Sequence, residues 1–158
     1  MVAQNLLSLA VLALGPWTPS ALAGPYRVAL CIAGGLLVLA GAVLGIAGVR
    51  ALGSNRTAFP QPLPGSRLVV TGIYRRVRHP LYTSLIALGF GWSLGWASIP
   101  AAGAAILLFL VLRTKARIEE RALEMRHPGY EAYRRRTPRF LPALRVTRPE
   151  PASHPSSQ

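Results

Sequence analysis

The sequence predicts an all-α integral membrane protein of about four transmembrane helices. A helical hairpin forms its C-terminal half, and a cytosolic helical tail follows. Three observations predict this class. Hydrophobic residues make up 51% of the 158-residue chain, and mean hydropathy is +0.36. Charge is confined to a few stretches that flank long apolar runs, the pattern of a membrane protein and not of a soluble globule. Residues 50–79 and the chain from Arg113 onward hold 17 of the 18 Lys and Arg residues, which places both in the cytosol by the positive-inside rule.

Residues 1–23 are apolar but carry Pro16 and Pro19. The ending Ala21-Leu22-Ala23 resembles a signal-peptidase site, yet no Lys or Arg precedes the run, as a signal peptide requires. A first membrane helix, short or broken near Pro16, is the reading preferred over a cleaved signal. Residues 28–49 form the cleanest span, uncharged and bracketed by Arg27 and Arg50. Gly34, Gly35, Gly41, Gly45 and Gly48 run through it, and small residues let helices approach closely in lipid. Glycine is also common in membrane helices for no packing reason.

Residues 50–79 form a polar loop with six arginines and no acid, in which Pro60, Pro62 and Pro64 impose an extended, ordered path. Residues 81–112 carry no charge. They are too many for one ordinary span and suit a hairpin over 81–97 and 100–113, turning at Ser98-Ile99-Pro100. Trp92 and Trp96 approach its tip, as interfacial tryptophans do. Residues 113–127 read as a helix leaving the membrane, ended by Pro128-Gly129. A second short helix carries Tyr130 and Tyr133 and ends near Pro138, and residues 143–158, rich in Pro and Ser, read as a disordered tail. The chain thus divides into N-terminal helices (1–49), a core (50–142) and the tail. Four spans put the N-terminus in the cytosol, with the protein in the cell (inner) membrane.

Composition excludes several functions. A net charge of +13 could suggest nucleic acid, but basic residues flanking apolar spans are accounted for by cytosolic retention and anionic lipid. The expected partner is therefore the bilayer. Cys31 is the only cysteine, so no disulfide forms within the chain and no cysteine metal site exists. The chain has no Asp, which removes most hydrolytic and Mg²⁺-dependent designs, and no metal is expected.

The chemistry gathers at Leu68 to Tyr82, where three arginines, one histidine and two tyrosines meet the start of an apolar run. Pro80 suits a first helical turn, which makes His79 the N-cap beside a helix end that favours an anion. A hairpin brings Arg78, His79 and Tyr82 at its entry near Arg113 to Glu120 at its exit. On a helix, Lys115, Glu119 and Leu123 share one face and Glu120 lies about 100° round. One glutamate can then face the entry and the other water. A bland alternative pairs both with Arg113, Arg117 and Arg121 on a solvated helix.

Gly72-Ile73-Tyr74, Arg78-His79-Pro80-Leu81-Tyr82, Glu119-Glu120 and Leu123 resemble the isoprenylcysteine carboxyl methyltransferase and phospholipid methyltransferase families. The ending Gly129-Tyr130, Tyr133, Arg136-Thr137-Pro138-Arg139 and Leu141-Pro142 is similar too, so the resemblance covers about residues 50–142. It implies an enzyme using S-adenosyl-L-methionine, with Leu68, Val69, Tyr74, His79, Pro80, Tyr82 and Glu119 at the cofactor. A family arginine facing the substrate is matched by Lys115, with Arg113 and Arg117 nearby, and Ser84 stands where the family favours Gly. The implied acceptor is an isoprenylcysteine-type carboxylate, a phospholipid amine or a small thiol. Carboxylate or thiolate acceptors need no base, whereas an amine does, and Glu120 is the nearby spare acid. The competing classes are a non-catalytic membrane scaffold of the same fold and an NADPH-dependent sterol-reductase-like enzyme.

Overall fold

The computed structural model describes residues 2–17, 24–53 and 68–142. Among them there is no strand, and there are five α-helices: α1 (Val2–Trp17), α2 (Pro25–Leu52), α3 (Pro80–Trp96), α4 (Ile99–Arg126) and α5 (Tyr130–Arg136). A 3₁₀ turn, Gly72–Arg75, precedes α3. The proline-bearing part of the basic loop (54–67), the Ala21-Leu22-Ala23 segment and the tail 143–158 lie outside the described residues.

α1 is not broken at Pro16, which sits inside its last turn. α2 extends the expected 28–49 span by about a turn at each end. It starts with Pro25 in the first turn, where the missing N–H costs nothing, and ends at Gly53, whose φ of 53° few other residues adopt.

α2 packs antiparallel on α3 along Gly34, Gly41 and Gly48, all buried. A Cβ on Gly34 would stand 2.6 Å from the Gly91 carbonyl and the Gly95 nitrogen. One on Gly48 would meet Pro80 and Leu81 at the other end. Gly45 abuts the Ser84 hydroxyl, so the small Ser84 keeps this approach open. Gly35 faces open space and is not part of the seam. The seven-residue spacing of the buried glycines keeps one seam toward the partner helix.

The hairpin forms as expected, and its second arm and the helix read over 113–127 are one continuous element, α4, which runs to Arg126. The turn places Ala97 in the left-handed region (φ 51°), and the Ser98 side chain caps α4 by accepting from the Ala101 N–H at 3.2 Å. The Ser98 hydroxyl also donates to the Leu14 carbonyl at 2.8 Å, tying the tip to the end of α1. Arg27 donates to the Gly95 carbonyl at 2.6 Å, a cation at the C-terminal end of α3. α1 packs on α4 and α3, where Val11, Ala104 and Ala105 form a small core with Phe90 and Trp92 around it.

The helices therefore alternate in direction, and the chain has two ends. One holds the hairpin tip, Arg27 and the end of α1. The other holds the start of α1, the end of α2, the start of α3 and the polar half of α4. Along α2, Ile32, Leu36, Leu39, Val43 and Ile46 are exposed, an apolar surface suited to lipid. α2 and α4 are long and apolar enough to cross a membrane, while α1 and α3 have 16 and 17 residues.

Candidate functional site at the polar end of the helical hairpin

The start of α3 is held by the chain that follows α5. The Arg78 N–H donates to the Pro138 carbonyl at 2.9 Å and the His79 N–H to the Arg139 carbonyl at 3.2 Å. The Thr83 hydroxyl reaches the Phe140 carbonyl at 2.8 Å. α5 is anchored by Tyr130, which is 1% exposed, and by the Tyr133 hydroxyl, which donates to the Tyr74 carbonyl at 2.7 Å. Burial, then the Glu120 charge, pushes the Tyr130 phenol up to about 12, so it stays neutral.

His79 precedes Pro80 outside the helical region (φ −123°, ψ 65°), but its side chain makes no capping bond. The imidazole points into the molecule instead. Its Nε2 donates to Glu120 Oε1 at 3.0 Å, and its Nδ1 lies 3.6 Å from Glu119 Oε2. A carboxylate only accepts, so Nε2 carries the proton.

Glu120 does not face water. It is 3% exposed. Arg139 grips it through Nε (2.9 Å to Oε1) and Nη2 (2.6 Å to Oε2), a two-pronged geometry that only Arg provides. That bond raises the Arg139 pKa above its ordinary value. Arg78 Nη1 lies 3.1 Å from Glu120 Oε1 as an ion pair without hydrogen-bond alignment, and the buried Nε and Nη1 of Arg78 have no hydrogen-bond partner. The glutamates are thus not a solvated pair for Arg113, Arg117 and Arg121. Nor is Glu120 a spare acid, since a cation-bound carboxylate makes a poor base.

Glu119 has different company. Its Oε1 accepts from the Tyr82 hydroxyl at 2.5 Å. The Tyr82 ring stacks on His79, with centroids 5.3 Å apart and planes within 2°. Lys115 Nζ stands 5.2 Å over the Tyr82 ring and donates to Gln4 Oε1 of α1 at 3.1 Å. Tyr74 is half-buried, and burial, then Glu119, pushes its phenol up to about 12.

The structure thus brings His79, Tyr82, Lys115 and Glu119 together, with Tyr74 beside them and Pro80 buried in the first turn of α3. Leu68 and Val69 lie half-buried on the approach to the 3₁₀ turn. Arg117 is exposed and about 200° round α4 from Lys115, so it does not join the cluster. Arg78 lies against Glu120, as the hairpin entry and exit were expected to meet, while Arg139 and Gln4 are the contributors that the sequence reading gave no role. The Arg136-Thr137-Pro138-Arg139 run was the available signal for the first. For Gln4 there was none.

One turn further along α4, an open cavity of about 540 Å³ is lined by Glu124, His127, Pro128, Glu131, Arg134 and Arg135. Its acids pair with Arg134 and Arg135. Among the described residues, no group of three or more His, Cys, Asp and Glu side chains could hold a metal ion.

Residues 29–128 match the family described as phospholipid methyltransferase. The nickel-cobalt-cadmium resistance protein NccN of Alcaligenes xylosoxydans xylosoxydans is 36% identical over 90 residues, 54% of this chain and 40% of that protein. The cobalt-zinc-cadmium resistance protein CzcN of Cupriavidus metallidurans is 39% identical over 88 residues, 52% of this chain and 39% of that protein. The chain spans about two fifths of the length of these relatives. No solved structure matches.

Proposed function

We propose, because the chain belongs to the phospholipid methyltransferase family, that it is a membrane methyltransferase that uses S-adenosylmethionine at the cytosolic interface on a lipidic carboxylate. The observation that carries the reading is the convergence of His79, Tyr82 and Glu119 at the polar mouth of an apolar hairpin. A soluble cofactor and a membrane-dissolved acceptor can both reach such a place.

The residues present fit the cofactor. When bound, S-adenosylmethionine supplies an electrophilic methyl group on a sulfonium. Glu119 has one oxygen on Tyr82 and the other able to accept from a ribose hydroxyl or an ammonium. The buried Nε–H of Arg78, which has no hydrogen-bond partner, is the kind of donor that a carboxylate or an ordered water satisfies. Tyr74 and Tyr82 offer aromatic faces for a cation or a base.

The state of Glu120 favours a carboxylate acceptor. An amine must lose a proton before it attacks, and the acid that could have served is held by Arg139, Arg78 and His79. An ionised carboxylate needs no base, and alignment supplies most of its rate. Lys115 offers an acidic acceptor a cation.

The same reading supports a multi-pass arrangement with the site end cytosolic. At 1.5 Å per residue, α1 and α3 reach about 24–26 Å against an apolar thickness of about 30 Å. Each spans only if the bilayer thins or polar ends snorkel.

Calorimetry on purified protein tests the function. S-adenosylmethionine binding, with transfer of its labelled methyl group to a prenylated cysteine derivative, is expected. NADPH binding would instead point to a reductase, and binding of neither cofactor to a scaffold.

A further inference from the structure

We infer that Gln4, on α1, is a positioning residue that sets Lys115 against the anionic group of the methyl acceptor. The inference rests on the methyltransferase reading above but adds a residue outside the family-matched segment 29–128.

Lys115 is the only lysine among 18 basic residues. Its flexible stem loses rotamer freedom whenever the ammonium engages a ligand. Its contacts include the Tyr82 face 5.2 Å from Nζ and the Gln4 carbonyl oxygen at 3.1 Å, which restrict it in advance. Gln4 comes from 111 positions away and is itself fixed, because α1 packs against α4 and α3 through Val11, which is 2% exposed. A neutral amide oxygen orients the ammonium without adding a second negative charge to that of the neighbouring Glu119. A glutamate there would orient it and compete with an anionic acceptor.

The test uses detergent-purified full-length protein, with an N-acetylated, S-prenylated cysteine as acceptor. Q4A is expected to raise the acceptor KM by about threefold to tenfold, the range for releasing one rotamer-rich side chain. The cofactor KM and kcat should stay within about twofold, which a loss confined to acceptor binding requires. An N-hydroxysuccinimide ester should acylate Lys115 faster in Q4A than in the wild type, as quantified on the one lysine peptide. Q4E should raise the acceptor KM while leaving Lys115 acylation at or below the wild-type rate. An active enzyme whose acceptor KM is unmoved by either substitution overturns the inference. So does Q4A with wild-type acylation, or with losses in kcat and cofactor KM instead. A wild-type protein that transfers no methyl group and binds no S-adenosylmethionine overturns the underlying reading, and the acylation rates still report whether Gln4 holds Lys115.

Discussion

Glu119 and Glu120 are adjacent in sequence and separated in role by what surrounds them. Glu120 is the counterion of Arg78, whose side chain is 8% exposed, and it also satisfies Arg139 and His79. Glu120→Gln strands a buried guanidinium, so a loss of about 3 kcal/mol is expected, the low end for breaking a buried pair from one side. The apparent melting temperature in detergent should show it. Glu119→Gln keeps a partner for Tyr82 and should leave melting unchanged, while weakening S-adenosylmethionine binding by about 1.5–3 kcal/mol in calorimetry. Equal, small effects from both would show that neither carboxylate has the role given to it. His79 makes no cap bond, so an asparagine there replaces nothing useful. His79→Asn is expected to reduce methyl transfer at least tenfold, about 1.4 kcal/mol of transition-state stabilisation. Arg139 still grips Glu120 in that variant, which limits the stability loss to about 1 kcal/mol, the worth of one hydrogen bond.

At the scale of the helices, the seam between α2 and α3 is set by backbone approaching backbone. Gly34 and Gly35 make a matched pair for testing it. A methyl on Gly34 meets main-chain atoms of Gly91 and Gly95, which cannot move without moving α3, whereas a methyl on Gly35 meets nothing. Gly34→Ala is expected to cost about 1–3 kcal/mol through overpacking. Gly35→Ala should be neutral or gain up to about 1 kcal/mol from helix propensity. Thermal inactivation of the two variants side by side decides it, and identical half-lives would remove the seam. The loss from Gly34→Ala should also reach function, because α3 carries His79 and Tyr82 into the site.

For the whole molecule, the alternating helices put Arg75 and Arg135 at one end and Ile99, which is 86% exposed, at the other. In a Cys31→Ser background, cysteines at positions 75 and 135 should react with a membrane-impermeant maleimide only from the cytosolic side. A cysteine at 99 should react only from the opposite side. Labelling of 75 and 135 from opposite faces would rule out the multi-pass arrangement proposed here.

The sequence by itself determined the features that depend on local composition. The uncharged run 81–112 with Ser98 and Pro100 in its middle could only be a hairpin, and that hairpin necessarily carries His79 and Tyr82 back beside Glu119. The small-residue face of α2 was visible as well, although which glycines face α3 was not. Local pattern also placed a short first helix ending beside Pro16 and a helix over 113–127 stopped by Pro128-Gly129, and the structure has α1 reaching Trp17 and α4 reaching Arg126. Only the tertiary structure decided the fate of Glu120. Its partners come from 19, 41 and 42 positions away, and helical periodicity predicts neighbours only three or four residues apart. Gln4 reaches Lys115 for the same reason, because the packing of α1 on α4 is written in long-range surface complementarity and not in any motif.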